Sequence, residues 1–419
     1  MNCGFFKEKK RVFMNKDNVL EVASLAGHIM LENGAEIARV EEVMQRIASK
    51  YGADAGSFFV LSNGIFTTGK SYANVEYIPF HGTQLNKVVA VSQLSHRVEM
   101  GECTLEECRD KLTAIRNMPN HSYVEQIMGA AFGSAGFCAI FGGSVIDCCI
   151  SFICGIFLWL FVLLISSTFT SKFTANIVGS MLVTAICIFF HHCGIGNLGN
   201  VIIGSIIPLI PGVPFTNGIR DLAGEDYIAG ATRLMDALMV FLCIALGVSL
   251  TFVLDSKIIG EMIHLDGISI DPFTAHWWFQ LIAAFIGTMA FAVLFGVPHK
   301  YYLDCGICGL SGWIMYLILS RLCGMSSVES TFLATMVVVF LSYYFATFRK
   351  CPIIVFLVCG IFPLVPGAGV FWTSYNIVSD QLNAALSSGF LALKLTFAIV
   401  FGIIVVTEIR RRIQYRQKR

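Results

Sequence analysis

Ten stretches of about 20 predominantly apolar residues follow one another between residues 124 and 407. They cover roughly 124–142, 144–167, 176–194, 198–219, 231–254, 276–296, 299–319, 329–348, 352–371 and 388–407. A helix of about 20 apolar residues can cross the hydrocarbon core of a bilayer. The chain is 56% hydrophobic and only 14% charged, so it has more apolar surface than a soluble fold could bury. The sequence therefore predicts a mostly α, polytopic membrane protein with about ten transmembrane helices.

The charged residues are concentrated before the first apolar stretch. Residues 1–125 contain 14 Lys and Arg and 15 Asp and Glu, whereas the other 294 residues contain 28 charged residues in all. The first thirty residues lack the apolar core of a signal peptide, so this region is expected to stay in the cytoplasm. The predicted segments are a flexible N-terminus at 1–16, a cytoplasmic α+β domain at 17–123, a first five-helix membrane repeat at 124–254, an extracytoplasmic loop at 255–275, a second five-helix repeat at 276–407 and a basic cytoplasmic tail at 408–419.

The N-terminal domain has the pattern of a small α+β fold. Helices are predicted at 17–33, 35–51, 84–100 and 104–117, and a β-hairpin is predicted around Asn63-Gly64 with a further strand after it. Phosphate-binding loops, metalloprotease motifs and nucleophile elbows do not occur in its sequence. We therefore expect no enzyme activity, no cofactor, no metal site and no nucleic-acid partner.

The basic residues of the loops predict the orientation of the spans, because Lys and Arg accumulate on the cytoplasmic side. With the N-terminal domain inside, the cytoplasmic loops contain Lys172, Arg220, Lys300, Arg349 and Lys350, and the C-terminal tail is strongly basic. The opposite side contains only Lys257 and Arg321. Ten spans with both termini in the cytoplasm fit this distribution.

The membrane region contains an internal repeat. The sequence GSIIPLIPG at 204–212 is echoed by CGIFPLVPG at 359–367, an offset of 155 residues, and Phe141-Gly142 is echoed by Phe295-Gly296, an offset of 154. Each half contains five apolar stretches, an odd number, so the second half is predicted to be inserted upside down relative to the first. In the first span, Gly129 and Gly133 have the GxxxG spacing of close helix packing, for which contact between the halves is one arrangement.

Proline and glycine interrupt one apolar stretch in each half. The breaks are formed by Pro208, Pro211 and Gly212 and by Pro363, Pro366 and Gly367. Irregular backbone survives at membrane depth only where it lines a cavity or is buried in protein, and a helix that restarts after a break presents its positive end to anions. One such break is typical of a kinked helix, but a matched pair is typical of a transporter. The predicted substrate-binding residues are these six and Thr216, Asn217, Arg220, Asp221 and Thr373.

Arg220 and Asp221 follow the first break directly and have no counterpart after the second. A guanidinium group can bind a substrate carboxylate, and Asp221 could neutralise it when the site is empty. A salt bridge at the cytoplasmic end of the fourth span is the alternative, and the sequence leaves both open.

Three aspartates lie within predicted spans, where ionisable groups are costly and mark functional sites. Asp147 and Asp304 lie near the start of the second and seventh spans, at an offset of 157 residues that a small gap would align, and Asp236 lies one turn into the fifth. Proton coupling or contact with a substrate amine is the functional interpretation, and structural ion pairs are the alternative.

Several motifs together resemble the threonine/serine exporter family. They are ENGAEIARVEEVMQRIASKYG and SFFVLSNGIFTT in the N-terminal domain, the Gly-rich first span, and PLIPGVPFTNGIRDLAGEDYIAGATRLMDAL and GIFPLVPGAGVFWTSYNIVSDQLNAAL in the two halves. The resemblance covers nearly the whole chain from about residue 17. It implies a ten-span protein of the bacterial plasma (inner) membrane that exports small amino acids, with protons as the expected coupling ion.

Three functions remain open at this point. The first is a secondary active exporter of threonine, serine or a similar small amino acid. The second is an exporter of succinate or another small dicarboxylate, because related units form a two-component exporter of that kind. The third, from another class, is a membrane-anchored sensor or scaffold. The expected partners are the lipid bilayer, a small amino acid or carboxylate, and protons, and a homo-oligomer is a further possibility.

Overall fold

The computed structural model of the chain describes residues 3–53, 58–69, 73–79, 82–164, 171–260, 263 and 270–417. The described part is mostly helical and forms two compact units. The first unit contains the N-terminal 120 residues together with Val213–Leu234 and Ala346–Ile354. The second unit contains His121–Gly212, Met235–Phe345 and Val355–Arg419. Two segments that join predicted spans, the fourth to the fifth and the eighth to the ninth, are thus grouped with the N-terminal domain.

The N-terminal domain has four helices and one sheet. The elements are α1 (Cys3–Glu32), α2 (Ile37–Lys50), β1 (Phe58–Leu61), β2 (Gly64–Thr68), β3 (Ala73–Tyr77), α3 (Leu85–Glu99) and α4 (Leu105–Arg116). The sheet is antiparallel in the order β1-β2-β3, and Leu61 pairs with Gly64 across the predicted hairpin turn. The N-terminus predicted at 1–16 overlaps α1, which begins at Cys3.

Apolar spacing explains why α1 and α2 form the core of this domain. Val40, Val43, Met44 and Ile47 recur at helical spacing on one face of α2 and are completely buried. Gly34, with a φ of 90°, separates the two helices, because a left-handed backbone ends a helix at little cost only in glycine. The predicted domain is therefore confirmed as α+β, with its sheet of three short strands.

The remaining helices follow the predicted apolar stretches closely. They are α5 (Tyr123–Ile140), α6 (Val145–Leu164), α7 (Lys172–His192), α8 (Leu198–Ile206), α9 (Gly212–Ala223), α10 (Tyr227–Ile259), α11 (Trp277–Leu294), α12 (Tyr302–Leu317), α13 (Ser327–Arg349), α14 (Ile354–Ile361), α15 (Gly367–Val378) and α16 (Leu382–Gln417). Eight of the 21 residues of the loop predicted at 255–275 lie outside the described residues, and α10 extends into the loop as far as Ile259.

Seven helices within the described ranges are long and apolar enough to cross a membrane, and nine spans result if each of two bent pairs is one span. The bent pairs are Leu198–Leu209 with Gly212–Ala223, at 63°, and Ile354–Leu364 with Gly367–Val378, at 49°. α5 is not among the seven, because Glu125, Gln126 and several glycines reduce its apolar character. The protein is a multi-pass membrane protein with seven to nine candidate spans.

α5 and α11 pack against each other in opposite directions within the second unit. A Cβ at Gly129 would lie 3.1 Å from the carbonyl oxygen of Ala290, and one at Gly136 would lie 3.1 Å from that of Ala283. The later residue of α5 contacts the earlier residue of α11, so the two helices are antiparallel. The predicted close packing at the GxxxG motif therefore occurs, and it joins equivalent helices of the two halves.

The contact between α5 and α11 is also reciprocal. Gly133 lies against the ring of Phe291, and Gly287 lies against the ring of Phe137. Both glycines and both phenylalanines are related by 154 residues, so each half presents the same surface to the other. Reciprocal contacts of this kind are the mark of a two-fold relation between two similar bodies.

Side-chain hydrogen bonds repeat in the two halves with the same offset. Trp159 Nε1 donates to Gln126 Oε1 at 3.3 Å, and Trp313 Nε1 donates to Gln280 Oε1 at 3.3 Å. A buried indole N–H needs an acceptor, and each half supplies the same amide one helix away. The repeat therefore extends from the sequence motifs to the tertiary contacts.

Candidate functional site

The two Pro-Gly breaks have the same backbone geometry. A 3₁₀ turn of three residues, Ile207–Leu209 in one half and Phe362–Leu364 in the other, ends each first helix. Extended backbone follows, with φ −65° and ψ 128° at Ile210 and φ −65° and ψ 132° at Val365. A second helix of 12 residues then begins at the glycine of each motif. The prediction of two matched helix interruptions is therefore confirmed.

Each break leaves a backbone carbonyl group without its helical partner. Gly367 donates its amide to the oxygen of Val365 at 2.8 Å and not to Pro363, and Pro366 has no amide hydrogen to donate. The same change of hydrogen-bond acceptor occurs in the first half, where the amide of Gly212 donates to the carbonyl oxygen of Ile210 at 2.8 Å. Such carbonyl groups are costly in hydrocarbon and favourable where a polar ligand can reach them.

The two breaks also contact each other within the second unit. A Cβ at Gly212 would overlap the ring of Phe362, and a Cβ at Gly367 would lie 2.8 Å from Ile210 Cδ1 and 2.9 Å from Ile207 Cδ1. Phe362 and Ile207 are equivalent positions at an offset of 155 residues. Glycine is thus required on both sides by the close approach of the partner segment.

A cavity of about 480 Å³ lies beside the second break. Pro363 and Pro366 line it, as do Ala368 and Gly369 in the first turn of α15. Its size falls within the usual range of small-molecule sites, which are concave, mostly apolar and provided with a few polar groups. Two of the predicted site residues, Pro363 and Pro366, therefore border a cavity large enough for an amino acid.

The polar groups of this cavity come from several helices. Gln280 of α11, Trp313 and Tyr316 of α12, Thr331 of α13 and Ser388 of α16 line it. Gln280 uses its amide oxygen to accept from Trp313, which leaves its NH₂ group to donate. These groups can bind hydroxyl, carboxylate and ammonium groups of a small solute.

Arg321 contributes the positive charge of the cavity. Among the described residues it is the one cationic side chain in the lining, and neither Asp nor Glu contributes to it. Its Nη1 donates to the carbonyl oxygen of Ala275 at 2.8 Å, which leaves the other guanidinium donors for a ligand. Together with the start of α15, this side chain makes the cavity suited to a carboxylate.

Arg220 and Asp221 occupy a different environment, within the first unit. Arg220 forms an ion pair with Glu36, and Asp221 accepts from Arg233 Nη1 at 2.6 Å and from the backbone amide of Ile37 at 3.2 Å. These side chains are largely buried, with Asp221 only 2% exposed. The structure thus places both residues in ion pairs with other partners and not with each other.

The same network holds the turn between α1 and α2. Asn217 Nδ2 donates to the carbonyl oxygen of Gly34 at 2.7 Å, and Arg233 Nη2 donates to that of Ala35 at 2.8 Å. Thr216, one residue earlier on α9, is 2% exposed. Four side chains of α9 and α10 therefore bind the turn at residues 34–37, which we call the docking turn.

The three aspartates predicted from the sequence have separate surroundings. Asp147 is 1% exposed, and its two oxygens accept from the amides of Ser144 at 2.7 Å and Asn197 at 2.6 Å. Asp236 forms an exposed ion pair with Lys172 at 2.7 Å. Asp304 is 4% exposed and lies in the first turn of α12. None of the three is among the residues that line the cavity.

Asp147 and Asp304 are not equivalent in the repeat, contrary to the predicted alignment. The contacts before and after them keep an offset of 154 residues, so no gap brings the two together. The position equivalent to Asp147 is Tyr301, and the position equivalent to Asp304 is Ile150. The two carboxylates therefore lie about one helical turn apart in the repeat.

The remaining predicted residues do not line the cavity. Pro208, Pro211 and Gly212 belong to the first break, Gly367 packs on Ile210, and Thr373 donates to the carbonyl oxygen of Gly369 at 2.7 Å. Sequence reasoning missed Gln280, Trp313, Arg321, Glu36 and Arg233. The equal offsets of Gln126 and Gln280 and of Trp159 and Trp313 could have revealed the first two.

Comparisons with known proteins agree with this architecture. The family model of threonine/serine exporters matches residues 21–255, and a second model, described as threonine/serine exporter, ThrE, matches residues 280–409. The "Threonine/serine exporter" of Corynebacterium glutamicum is 20% identical over 94% of this chain and 83% of its own length. The "Probable threonine/serine exporter" of Mycobacterium tuberculosis is 22% identical over 94% of this chain and 77% of its own length. No solved structure matches the chain.

The first family model alone covers more than half of the chain, from the N-terminal domain to the end of the fifth apolar stretch. The second begins in α11 and ends in α16, so the two models are separated by residues 256–279, between the main parts of α10 and α11. This chain belongs to the threonine/serine exporter family, whose members are membrane transporters of amino acids.

Proposed function

We propose that this protein is a secondary active exporter of threonine, serine or a similar small amino acid across the bacterial plasma membrane, driven by protons. The observation that carries the proposal is the cavity at the second break, which is adjacent to the point where the two interrupted helices contact each other. Membership of the exporter family supports the amino acid as the transported solute.

The membrane region works as ten spans in two inverted five-helix repeats. The antiparallel packing of α5 on α11 supports inversion, because these are the first helices of the two halves. Ten helices or bent helix pairs follow one another from α5 to α16, and this number supports ten spans, with α5 as the first. The N-terminal domain and the basic C-terminal tail face the cytoplasm, and Arg321 faces the opposite side.

The cavity binds the amino acid through three kinds of group. The carboxylate binds Arg321 and lies near the start of α15, where the helix dipole is positive. The ammonium group binds the backbone carbonyl that Pro363 exposes at the break. The hydroxyl group binds Gln280 or Ser388, both of which line the cavity.

Proton coupling is assigned to Asp304. Asp236 is exposed in an ion pair with Lys172. Asp304 is buried on α12, the helix that also contributes Trp313 to the cavity. Asp304 and Trp313 are nine positions apart, which corresponds to roughly 14 Å along the helix axis. Rocking of one repeat against the other would then expose Asp304 and the cavity alternately to the two sides of the membrane.

Efflux from proteoliposomes tests the function. Vesicles that contain the purified protein and radiolabelled threonine are expected to lose the label faster than empty vesicles, and an uncoupler is expected to abolish the difference. Asp304→Asn should retain threonine exchange but lose the dependence on the proton gradient, whereas Asp236→Asn serves as the exposed control. Threonine efflux that is equal with and without the protein would refute the proposal.

A dicarboxylate is the competing substrate, and the same vesicles distinguish it. Two carboxylates would have to share Arg321 and the start of α15, because no other cationic side chain among the described residues lines the cavity. Succinate is therefore expected to compete poorly with labelled threonine. Faster efflux of succinate than of threonine would assign the cavity to dicarboxylates.

A further inference from the structure

A cluster of two histidines and one glutamate lies in the second unit, away from the cavity. His121 directly precedes the N-cap of α5, Glu125 lies in the first turn of α5, and His299 lies in the 3₁₀ turn before α12. One ligand atom from each of the three lies within 4.8 Å of the others. We propose that these residues form a binding site for a divalent transition-metal ion such as Zn²⁺.

The hydrogen bonds of His121 prepare its ring for a cation. Its Nε2 lies 3.0 Å from the carbonyl oxygen of Val297, which can only accept, and 3.4 Å from the hydroxyl group of Tyr302, so the tautomer with the hydrogen on Nε2 fits both contacts. In the neutral ring the other nitrogen, Nδ1, then presents its lone pair to Glu125 Oε2 at 3.4 Å. A lone pair that faces a carboxylate is unfavourable unless a cation lies between them. A backbone carbonyl that orients a histidine in this way is the usual outer partner of a metal ligand.

The distance between His121 and Glu125 suits a tetrahedral ion. Two ligands at about 2.1 Å from a tetrahedral ion are about 3.4 Å apart, which is the distance between His121 Nδ1 and Glu125 Oε2. His299 supplies the third ligand, and its ring lies 4.8 Å from that of His121 between centroids. Two histidines and one glutamate are a known ligand set for zinc, with a fourth position left to water. The exposed side of His299 provides the route for the ion.

Neighbouring residues hold the ligands in place before any ion binds. Glu125 is fixed by the capping box of α5, in which the amide of Ser122 donates to Glu125 Oε2 at 3.2 Å. Gln126 Nε2 donates to the carbonyl oxygen of His121 at 2.8 Å. The side chain of His121 itself is only 9% exposed. Three ligands from two halves of the protein thus require only small movements to converge.

A proton is the competing occupant, because a protonated His121 would form an ion pair with Glu125. Two features favour the metal ion. A second imidazole points to the same place, and two charged rings at this separation would repel each other, whereas one divalent ion accepts both as neutral ligands. The positions related by the repeat, Val145, Ala275 and Phe279, cannot ligate a metal, so the cluster is not a remnant of duplication.

Metal titration of the purified full-length protein, carrying an affinity tag without histidines, tests the site. Co²⁺ is the spectroscopic probe, and Zn²⁺ is the competitor. We expect one equivalent of Co²⁺ with a visible ligand-field spectrum that lacks a thiolate charge-transfer band, since no cysteine lies in the cluster. We expect Zn²⁺ to displace Co²⁺ and to raise the apparent melting temperature.

Three variants and one control make the assignment specific. His299→Asn, Glu125→Gln and His121→Asn are each expected to weaken Co²⁺ binding at least tenfold and to remove the thermal shift. His276→Asn is the matched control, because His276 precedes α11 as Ser122 precedes α5 and lies outside the cluster. His299 is exposed, so its variant folds even if the His121 variant does not. Unchanged Co²⁺ titration in His299→Asn, or no binding at micromolar metal in the wild type, would overturn the proposal.

Discussion

The two Pro-Gly breaks have nearly identical backbones but different neighbours. After the first break, α9 uses Asn217, Arg220 and Asp221 to bind the docking turn of the N-terminal domain. After the second break, the first turn of α15 lines a cavity that also contains Arg321. The two breaks therefore share the interruption of the helix, whereas the side chains that follow it bind the docking turn after the first break and border a cavity after the second.

The difference explains why the Arg-Asp pair has one copy. Arg220 and Asp221 bind Glu36 and the amide of Ile37 in the docking turn, and the described part of the chain contains one docking turn. The charged pair follows a break that is typical of transport sites, yet its partners are Glu36 and Arg233. Charge beside a broken helix is therefore not sufficient evidence for a substrate site.

The largest effect is expected from Arg233→Met, which would leave Asp221 buried without its cation. Loss of one partner of a buried ion pair costs about 3–5 kcal/mol, because the other charge stays desolvated. The apparent melting temperature in detergent should fall sharply. Lys172→Met is the control, because the Lys172–Asp236 pair is about half exposed on both sides and such pairs contribute about 1 kcal/mol or less. Equal shifts in the two variants would show that the first break does not depend on this network.

The second effect concerns the glycines at which the breaks meet. Gly212→Ala should destabilise the protein by about 1–3 kcal/mol, because the new Cβ would overlap the ring of Phe362, which is confined between Phe291 and Phe295. Gly367→Ala should cost less, since the atoms it meets are flexible ends of isoleucine side chains. Thermal unfolding measures both variants.

A compensating variant sharpens this test. Phe362→Leu should recover part of the stability lost in Gly212→Ala, because the smaller side chain makes room for the added methyl group. Gly389→Ala, whose Cβ would make only ordinary contacts at 3.6 Å, should leave stability unchanged. Failure of Phe362→Leu to compensate would indicate that the breaks do not approach each other as described.

The third prediction distinguishes the role of Arg321 in substrate binding from the role of Arg220 in stability. Arg321→Gln should raise the KM for threonine efflux about tenfold, which corresponds to about 1.4 kcal/mol, with little change in thermal stability. Arg220→Gln should lower thermal stability and leave the KM of the folded fraction near that of the wild type. Efflux kinetics and unfolding of the same preparations measure both quantities. The opposite outcome, with KM changed only in Arg220→Gln, would move the carboxylate site to the first break.

The smallest effect is expected at the repeated indole-amide hydrogen bond. Trp159→Phe should cost about 1 kcal/mol, and Trp313→Phe somewhat more, because Gln280 is buried and would be left without its partner. Differential unfolding of the two variants is the measurement. A larger loss for Trp159→Phe would show that the bond is more important in the first half.

Much of the architecture could be predicted from the sequence because its signals are local or periodic. Apolar stretches of about 20 residues determine where membrane helices form, and proline and glycine determine where they break. The repeat could be recognised because both halves contain the same pattern of proline and glycine, at 208–212 and 363–367. The hairpin around Asn63-Gly64 and the capping box of Thr104 and Glu107 are likewise set by neighbouring residues.

The candidate sites depended on contacts between residues far apart in the chain. Glu36 lies 184 positions before Arg220, and His121 lies 178 positions before His299, so no spacing rule connects them. The cavity is assembled from α11, α12, α13, α15 and α16, and its polar groups are individually ordinary. Asp147 also shows the limit of prediction from sequence. An aspartate within a span is expected to be functional, but the two oxygens of Asp147 accept hydrogen bonds from backbone amides.

The sequence by itself determined that this chain is a duplicated, multi-pass membrane protein with paired helix breaks, because hydrophobic length and backbone chemistry act within one segment. Only the tertiary structure decided which break borders a cavity, where Arg220 and Asp221 are bound, and which histidines meet. Those outcomes depend on the packing of one segment against another, and side-chain partners are chosen by distance in space, which the order of residues along the chain does not specify.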